Sequence, residues 1–313
     1  MEPTDIYTNY EQIISTALQF TEAVDELTSL AEELGMEVCW RGQADHRWGL
    51  TSSLVRQISL SVAPDDKLIE QIEKKTHKEA ASWIEKYPGT ARQSVDVKML
   101  TYLQHHGIPT RLIDFTSDPL IALFFACEAQ EKVDGRVFAV LVPKKSMKTS
   151  APKVSDIKKL KQVDLLMWKP KEGDLDFPRI RAQKGILAIG KLPTSSPRRE
   201  IHDELLDAKR DVLAEEIREI LSIPVQFCKS SEDLKDDSEN PNKKSNHPAY
   251  CLTFRIHIHK RALKKRLSGK GPYRRIKGLQ KGGLSHLVLY PDADGMVKNS
   301  VILDQLKRGV ILP

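Results

Sequence analysis

The chain has 313 residues, of which 40% are hydrophobic, so it can bury the core of one large domain or two ordinary ones. Its net charge of +6 is uneven: residues 1–130 carry 11 basic against 20 acidic side chains, and the remainder carries 38 against 23. The apolar stretch Pro119 to Cys127 is too short to cross a bilayer, and the four cysteines form no Cys-x-x-Cys pair. These features argue against a membrane span and a zinc knuckle, and they predict a cytoplasmic protein with reduced thiols.

The predicted elements begin with helices around a short strand. Apolar residues recur at helical spacing from Tyr10 to Leu34, and Asp65 to Tyr87 predicts a second, charged helix. Between them, Glu37 to Trp40 is a strand-like run that places Arg41 at its end. Gly42 follows, and the lack of a Cβ there lets a backbone or a ligand approach closely.

Two more predicted helices flank a turn. The pattern from Val97 to His106 is helical, and it stops at Gly107, which can adopt a left-handed backbone, and Pro109, which cannot continue a helix. Leu120 to Ala129 predicts a buried helix with Pro119 in its first turn. A turn of this kind places two imidazoles at a helix end and directs the next segment toward them.

The pattern then changes from helices to strands. The predicted strands are Gly135–Val142, Ile186–Ile189, Tyr250–Ile258 and Leu284–Tyr290. Residues 229–247 are rich in Ser, Asp, Glu, Asn and Lys, a composition that predicts a disordered insertion. We therefore expect an α+β protein, with a helical amino-terminal half and a β-rich carboxyl-terminal half around one site.

Four blocks of the sequence concentrate polar side chains. They are Trp40-Arg41-Gly42-Gln43, the stretch Gln104–Thr116 (QHHGIPTRLIDFT), Arg179–Gly185 (RIRAQKG) and Pro291–Gly295 (PDADG). In this order and spacing they resemble the FRG-domain family, whose name reflects an aromatic-Arg-Gly signature. The resemblance covers an FRG domain at 35–298, which leaves the predicted amino-terminal helix in a segment at 1–34 and a tail at 299–313. It also implies a bacterial effector or toxin of a conflict system such as phage defence.

The first two blocks hold the candidate catalytic residues. Arg41, beside a glycine, suits a bidentate grip on a phosphate or diphosphate, although an ion pair with an acidic helix is an alternative. We prefer His105 to His106 as the catalytic histidine, because His106 precedes the turn glycine and can bond the last helix carbonyls. Arg111 and Asp114 lie three residues apart, where they either pair as a buried strut or contact a ligand.

The remaining candidates would bind or orient a ligand. Gln183 supplies an amide, which orients a ligand rather than transferring a proton. Thr116 precedes a predicted helix start, and helix amino termini favour anions. Asp292 and Asp294 could form a metal pair, but turn residues that bond their own backbone are the preferred interpretation, and no metal site is predicted.

The carboxyl-terminal part contains a strongly basic segment. Between Asn240 and Pro291 there are thirteen Lys or Arg residues and no Asp or Glu, a density that attracts phosphates. A solvated helix face beside a flexible loop is the alternative. The candidates for nucleic-acid contact are Lys260, Arg261, Lys264, Lys265, Arg266, Arg274 and Arg275.

The Arg41-Gly42 pair is also similar to the strand-end arginine of the arginine-serine-glutamate class of ADP-ribosyltransferases, which grips the diphosphate of NAD. This similarity implies an ADP-ribosyltransferase-like fold and NAD as a substrate. The sequence has no assured Ser-Thr-Ser strand, and it offers no clear counterpart of the catalytic glutamate of that class; Glu215 and Glu216 are left open for that role.

The expected function is therefore NAD-dependent ADP-ribosylation of a nucleic acid, with RNA as the preferred acceptor. The expected catalytic residues are His105, Asp114 and Arg41; the expected cofactor-binding residues are Arg41, Gly42, Gln43, Thr116 and Gln183. A non-catalytic nucleic-acid or nucleotide-binding module is one alternative, and a metal-independent ribonuclease with His105 as general base is another. A neutralising antitoxin or a chaperone is a further partner that this context allows, whereas a membrane is not expected.

Overall fold

A computed structural model describes residues 10–86, 97–171, 178–193, 200–203, 208–211, 220–239, 249–269, 276–280 and 283–291. The strands, in chain order, are β1 (Glu11–Ile14), β2 (Met36–Gln43), β3 (Ile113–Thr116), β4 (Gly135–Pro143), β5 (Met147–Lys148), β6 (Leu165–Trp168), β7 (Gly185–Gly190), β8 (Glu200–Asp203), β9 (Ala208–Asp211), β10 (Gln226–Phe227) and β11 (Tyr250–Ile256). The helices are α1 (Ala17–Glu33), α2 (Ser53–Ser59), α3 (Asp66–Lys86), α4 (Val97–His105), α5 (Pro119–Ala126), α6 (Val154–Lys159), α7 (Pro178–Ala182), α8 (Ser231–Glu239), α9 (Lys260–Leu267) and α10 (His286–Leu289).

Nine of the described strands form one sheet in the order β1-β11-β4-β2-β3-β7-β6-β5, with β10 also paired to β11. Strands β8 and β9 form a separate antiparallel pair. The α+β class predicted from the sequence is confirmed. The division into a helical and a β-rich half is incomplete, because β1, β2 and β3 come from the first part of the chain.

The central strand β4 is covered on both faces. Val137, Ala139 and Leu141 join a core with helices α1, α5 and α9, whereas the alternate residues Phe138 and Val140 join a second core on the opposite face. A strand buried on both sides reads as a continuous apolar run, which is what residues 137–142 show. None of the described helices is both long enough and apolar enough to cross a membrane.

The first predicted helix starts later than its apolar pattern suggested. Residues Glu11–Ile14 form β1, which runs parallel to β11, so this part of the prediction is wrong. Helix α1 begins after Thr16 because the Thr16 hydroxyl accepts from the backbone N–H of Gln19, while the Gln19 side chain accepts from that of Thr16. This reciprocal cap fixes the boundary.

Two other predictions are also corrected. The expected strand at Leu284–Tyr290 contains the short helix α10, whose first turn is capped by the hydroxyl of Ser285. Within the expected disordered insertion, Ser231–Glu239 form α8, and Leu234 is fully buried in the core, which gives this polar segment an anchor. Residues 240–248 lie outside the described part of the chain, as do 292–313.

Gly42 holds helix α5 against the sheet. A Cβ on Gly42 would lie 1.7 Å from the carbonyl oxygen of Ala122 and 2.8 Å from the backbone nitrogen of Ala126. The close approach that the sequence predicted at Gly42 is therefore made by a helix backbone. It brings the carboxyl-terminal end of α5, with Phe125, next to the end of β2 that carries Arg41.

Candidate functional site

The principal cavity is lined by three neighbouring strands. Strands β2 and β3 pair at one position, Trp40 with Thr116, and both strands contribute to the wall of a cavity of about 300 Å³, together with β7. Its wall includes the predicted site residues Arg41, Gly42, His105, Asp114, Thr116 and Gln183. Four distant parts of the chain therefore converge, since the wall also includes Tyr290.

The two adjacent histidines at the end of α4 have different surroundings. Gly107 has a φ of +81°, the left-handed conformation that the sequence predicted there. His105 is half-buried and lines the cavity, whereas His106 is exposed and its ring lies 4.4 Å from that of Tyr102. The structure thus brings His105, the preferred histidine, to the cavity; its catalytic role stays a prediction.

Asp114 is held in the cavity by a short chain of hydrogen bonds. The amide Nε2 of Gln104 donates to both carboxylate oxygens of Asp114 at 2.8 Å. The Thr110 hydroxyl donates to Oε1 of Gln104, which fixes the orientation of that amide. Sequence reasoning did not assign roles to Gln104 and Thr110, although both lie in the block that contains His105 and Asp114.

The Arg41 side chain links β2 to β3. Its Nη1 donates to the backbone carbonyl of Asp114 at 2.6 Å, and its Nε is buried without a hydrogen-bond partner in the described part of the chain. A buried donor without a partner costs free energy, so this nitrogen favours an acceptor from a bound ligand.

The electrostatics of the cavity centre on Asp114. Asp114 is exposed to the cavity, although protein groups surround its carboxyl closely. Burial raises the pKa of Asp114, and the charges of Arg41 and then His105 oppose the rise. Burial likewise lowers the pKa of Arg41, and the Asp114 carboxylate opposes it. One carboxylate thus stands among cations in a partly desolvated space, an arrangement common at functional sites.

Arg111 does not pair with Asp114. Its guanidinium makes a bidentate contact with Glu73 of α3, with Nε to Oε1 at 2.7 Å and Nη2 to Oε2 at 2.6 Å. The side chain of Arg111 is 6% exposed and that of Glu73 is 13% exposed. The strut predicted as one alternative exists, but its partner is Glu73. The Asp114 carboxylate is therefore not used in an ion pair with Arg111, and it lines the cavity.

The three other predicted ligand contacts differ from one another. Gln43 is buried and does not line the cavity, and its Nε2 donates to the Gly49 carbonyl at 3.0 Å; its role as a cofactor contact stays a prediction. Gln183 lines the cavity, but its Nε2 donates to the Leu289 carbonyl at 3.0 Å. The buried Thr116 hydroxyl accepts from the backbone N–H of Asp118 at 3.0 Å.

Aromatic residues form part of the cavity wall, called here the aromatic wall. Tyr290 lies there, and the guanidinium carbon of Arg179 is 5.0 Å from the centre of its ring. The Tyr290 hydroxyl donates to Glu128 at 3.3 Å, and Nε2 of His286 lies 3.0 Å from the same carboxylate oxygen. Tyr290 was missed from the sequence because it was interpreted as the end of a strand; its position directly before the PDADG block was the available signal.

The predicted basic residues on α9 fall into two groups. Lys260 is 2% exposed, and its Nζ donates to the backbone carbonyls of Ala44, Ala129 and Gln130. It links two loops, so its charged group is directed to backbone carbonyls and not to solvent. Arg266 is half-buried.

The other basic residues of α9 line a second cavity. Arg261, Lys264 and Lys265 surround a space of about 330 Å³ together with His286. Arg261 and Lys265 are exposed, and Lys264 is half-buried. Arg274 and Arg275 lie outside the described residues, as do Glu215, Glu216, Asp292 and Asp294.

Comparison with protein families gives one match. Residues 36–135 match the family model of the FRG domain. Comparisons with curated proteins and with solved structures gave no match. The resemblance predicted from the sequence blocks is thereby confirmed over this stretch, which contains Arg41, His105 and Asp114.

Proposed function

We propose that the chain, through its FRG domain, transfers ADP-ribose from NAD to a nucleic acid, with RNA as the expected acceptor. The observation that carries the proposal is the cavity in which Arg41, His105 and Asp114 meet an aromatic wall. NAD offers matching groups: a diphosphate for an arginine fork and a cationic aromatic ring for a carboxylate and a tyrosine. The buried Nε of Arg41, which has no partner in the described residues, supports the fit.

The size of the cavity indicates which part of NAD it would hold. A volume of about 300 Å³ is at the small end of ligand sites, so it suits the nicotinamide and its ribose rather than the whole dinucleotide. In this placement the Asp114 carboxylate faces the glycosidic bond. The diphosphate extends toward Arg41, which lies on the same wall.

The chemistry assigned to these residues is electrostatic. When the bond between ribose C1′ and the nicotinamide nitrogen breaks, its electron pair leaves with nicotinamide, and positive charge develops on the ribose. A fixed carboxylate beside that charge stabilises the transition state, and Gln104 holds the Asp114 carboxylate in place. An acceptor hydroxyl or amine then bonds to C1′ and passes its proton to His105.

The basic surface of α9 supports a polyanionic acceptor. Arg261 and Lys265 present exposed positive charge around the second cavity. That cavity adjoins the first through Glu128, which hydrogen bonds to His286 on one side and to Tyr290 on the other. A strand held along α9 would therefore lie next to the aromatic wall of the principal cavity.

The proposal is tested by following both halves of NAD. The full chain is incubated with NAD labelled in the nicotinamide or in the adenine, together with mixed-sequence RNA, DNA or a bacterial extract. We expect nicotinamide release and transfer of the adenine label to RNA. Absence of release with every acceptor contradicts the proposal. Shortening of RNA without NAD would identify a ribonuclease, and binding without any reaction would identify a binding module.

Neutralising the basic surface should change the salt dependence of RNA binding. In the double variant Arg261→Gln, Lys265→Gln we expect weaker binding, and a slope of log K against log[salt] reduced by about 1.4, because each phosphate contact contributes roughly 0.7. The measurement is fluorescence anisotropy over a salt series.

The matched control is Lys158→Gln, Lys159→Gln, which removes two exposed charges from α6 on a different core. An equal effect of both double variants would show that RNA responds to net charge and has no site on α9.

A further inference from the structure

A smaller cavity lies behind Arg41. It has a volume of about 190 Å³, and three of its lining residues, Arg41, Gln104 and Asp114, also line the principal cavity. These side chains therefore form the partition between the two spaces. Arg56 of α2 contributes a second guanidinium to the smaller one.

The charges in this cavity do not balance. Its described lining contains two arginines and a single carboxylate, that of Asp114. Arg56 donates from Nη1 to the Thr51 carbonyl at 2.6 Å, and no carboxylate of the described residues pairs with it. Burial lowers the pKa of Arg41, Asp114 opposes this, and the like charge of Arg56 adds to the lowering. Both guanidiniums line the same small cavity, with one carboxylate beside them.

We propose that the smaller cavity is an anion subsite in which Arg41 and Arg56 together bind a diphosphate. The paired N–H groups of a guanidinium match the spacing of phosphate oxygens. An anion bound between Arg41 and Arg56 would be attracted by both positive charges. The Thr51 carbonyl holds one nitrogen of Arg56, which leaves the other donors of its fork for a ligand.

The identity of the anion rests on the proposed function. The diphosphate of a dinucleotide would lie at the partition, with the nicotinamide ribose in the principal cavity on the far side of Arg41. This explains why the principal cavity alone, at about 300 Å³, is small for a dinucleotide.

The test measures anion binding without catalysis. Pyrophosphate and ADP-ribose are titrated separately into the full chain by isothermal calorimetry. We expect Arg56→Gln to weaken both by about 10- to 100-fold, the usual loss for a hydrogen bond to a charged group. Arg56→Lys should recover part of the affinity, because it keeps the charge and loses the fork.

The matched control is Lys145→Gln, which removes one exposed charge and should leave both affinities unchanged. Lys145 follows Lys144, whose backbone N–H donates to the carbonyl of Gly35 just before β2, and Arg41 lies six residues further along, roughly 20 Å away. Thermal melting of each variant confirms that it is folded; if Arg56→Gln does not fold, Arg56→Lys supplies the comparison.

Each outcome separates the two proposals. Wild-type pyrophosphate affinity in a folded Arg56 variant overturns the subsite. Loss of pyrophosphate binding with unchanged ADP-ribose binding overturns its assignment to a dinucleotide. Arg56-dependent binding of both ligands by a protein that never releases nicotinamide from NAD would support the subsite and reject the transferase.

Discussion

Replacing Asp114 by Asn is expected to reduce nicotinamide release from NAD by about 100- to 1,000-fold, the usual loss when one transition-state contact is removed. The substitution keeps the size of the side chain and an oxygen that can accept from Gln104, which now donates to both carboxylate oxygens. What it removes is the negative charge among Arg41, His105 and Arg179.

The same substitution should strengthen the binding of pyrophosphate. Asp114 lines the smaller cavity as well as the principal one, and there its charge repels an anion. Opposite changes in reaction rate and anion affinity are not produced by a loss of folding, which would weaken both. The combination therefore separates a charge effect from a structural one.

The measurements are the initial rate of nicotinamide release and calorimetric titration with pyrophosphate. Asp236→Asn, the same chemical change at an exposed position of α8, is the control and should alter neither quantity. A rate within a few-fold of wild type for Asp114→Asn would show that the carboxylate does not act on NAD.

Gly42→Ala is expected to lower the free energy of unfolding by about 3 kcal/mol or more. The added Cβ would lie 1.7 Å from the carbonyl oxygen of Ala122 and 2.8 Å from the nitrogen of Ala126. Both are backbone atoms of α5 and cannot rotate away, so the helix must move off the sheet. Because the core on this face contains most of α5, the displacement disturbs many buried contacts.

The measurement is urea denaturation, with Gly35→Ala as the comparison. Gly35 has a φ of +65° and no atom within 4 Å of a built Cβ, so it tests backbone strain without a clash. We expect Gly35→Ala to cost about 1 kcal/mol. Equal losses at the two positions would show that α5 yields easily and that the close contact has little weight.

Local patterns predicted the parts of the site that depend on neighbouring residues. The end of α4, the left-handed Gly107 and the choice of His105 all follow from one short segment, because a turn is determined by the residues within it. The start of α1 was missed although Thr16 and Gln19 form a recognisable cap; the apolar residues of β1 continued the helical pattern and concealed the boundary.

Contacts between distant segments could not be predicted in the same way. Sequence type alone does not distinguish Lys260, buried against three carbonyls, from the exposed Lys265 on the same helix. The strand β2 continues past its predicted end at Trp40 to Gln43, and the Gln43 amide donates to the nearby Gly49 carbonyl. Arg56 lies in a helix with no recognised block and reaches the site only through the packing of α2.

The single residue pair between β2 and β3 gives the sheet a weak seam. The sheet divides there into two groups of strands: β1, β11, β4 and β2 in one, and β3, β7, β6 and β5 in the other. In the described strands, one residue pair joins the two groups. A ligand in the principal cavity would contact residues of both β2 and β3. It would thereby add contacts between two strands that share only one backbone pair. Amide protons of β3 should therefore exchange with solvent faster than those of β4, and a bound dinucleotide should slow them selectively.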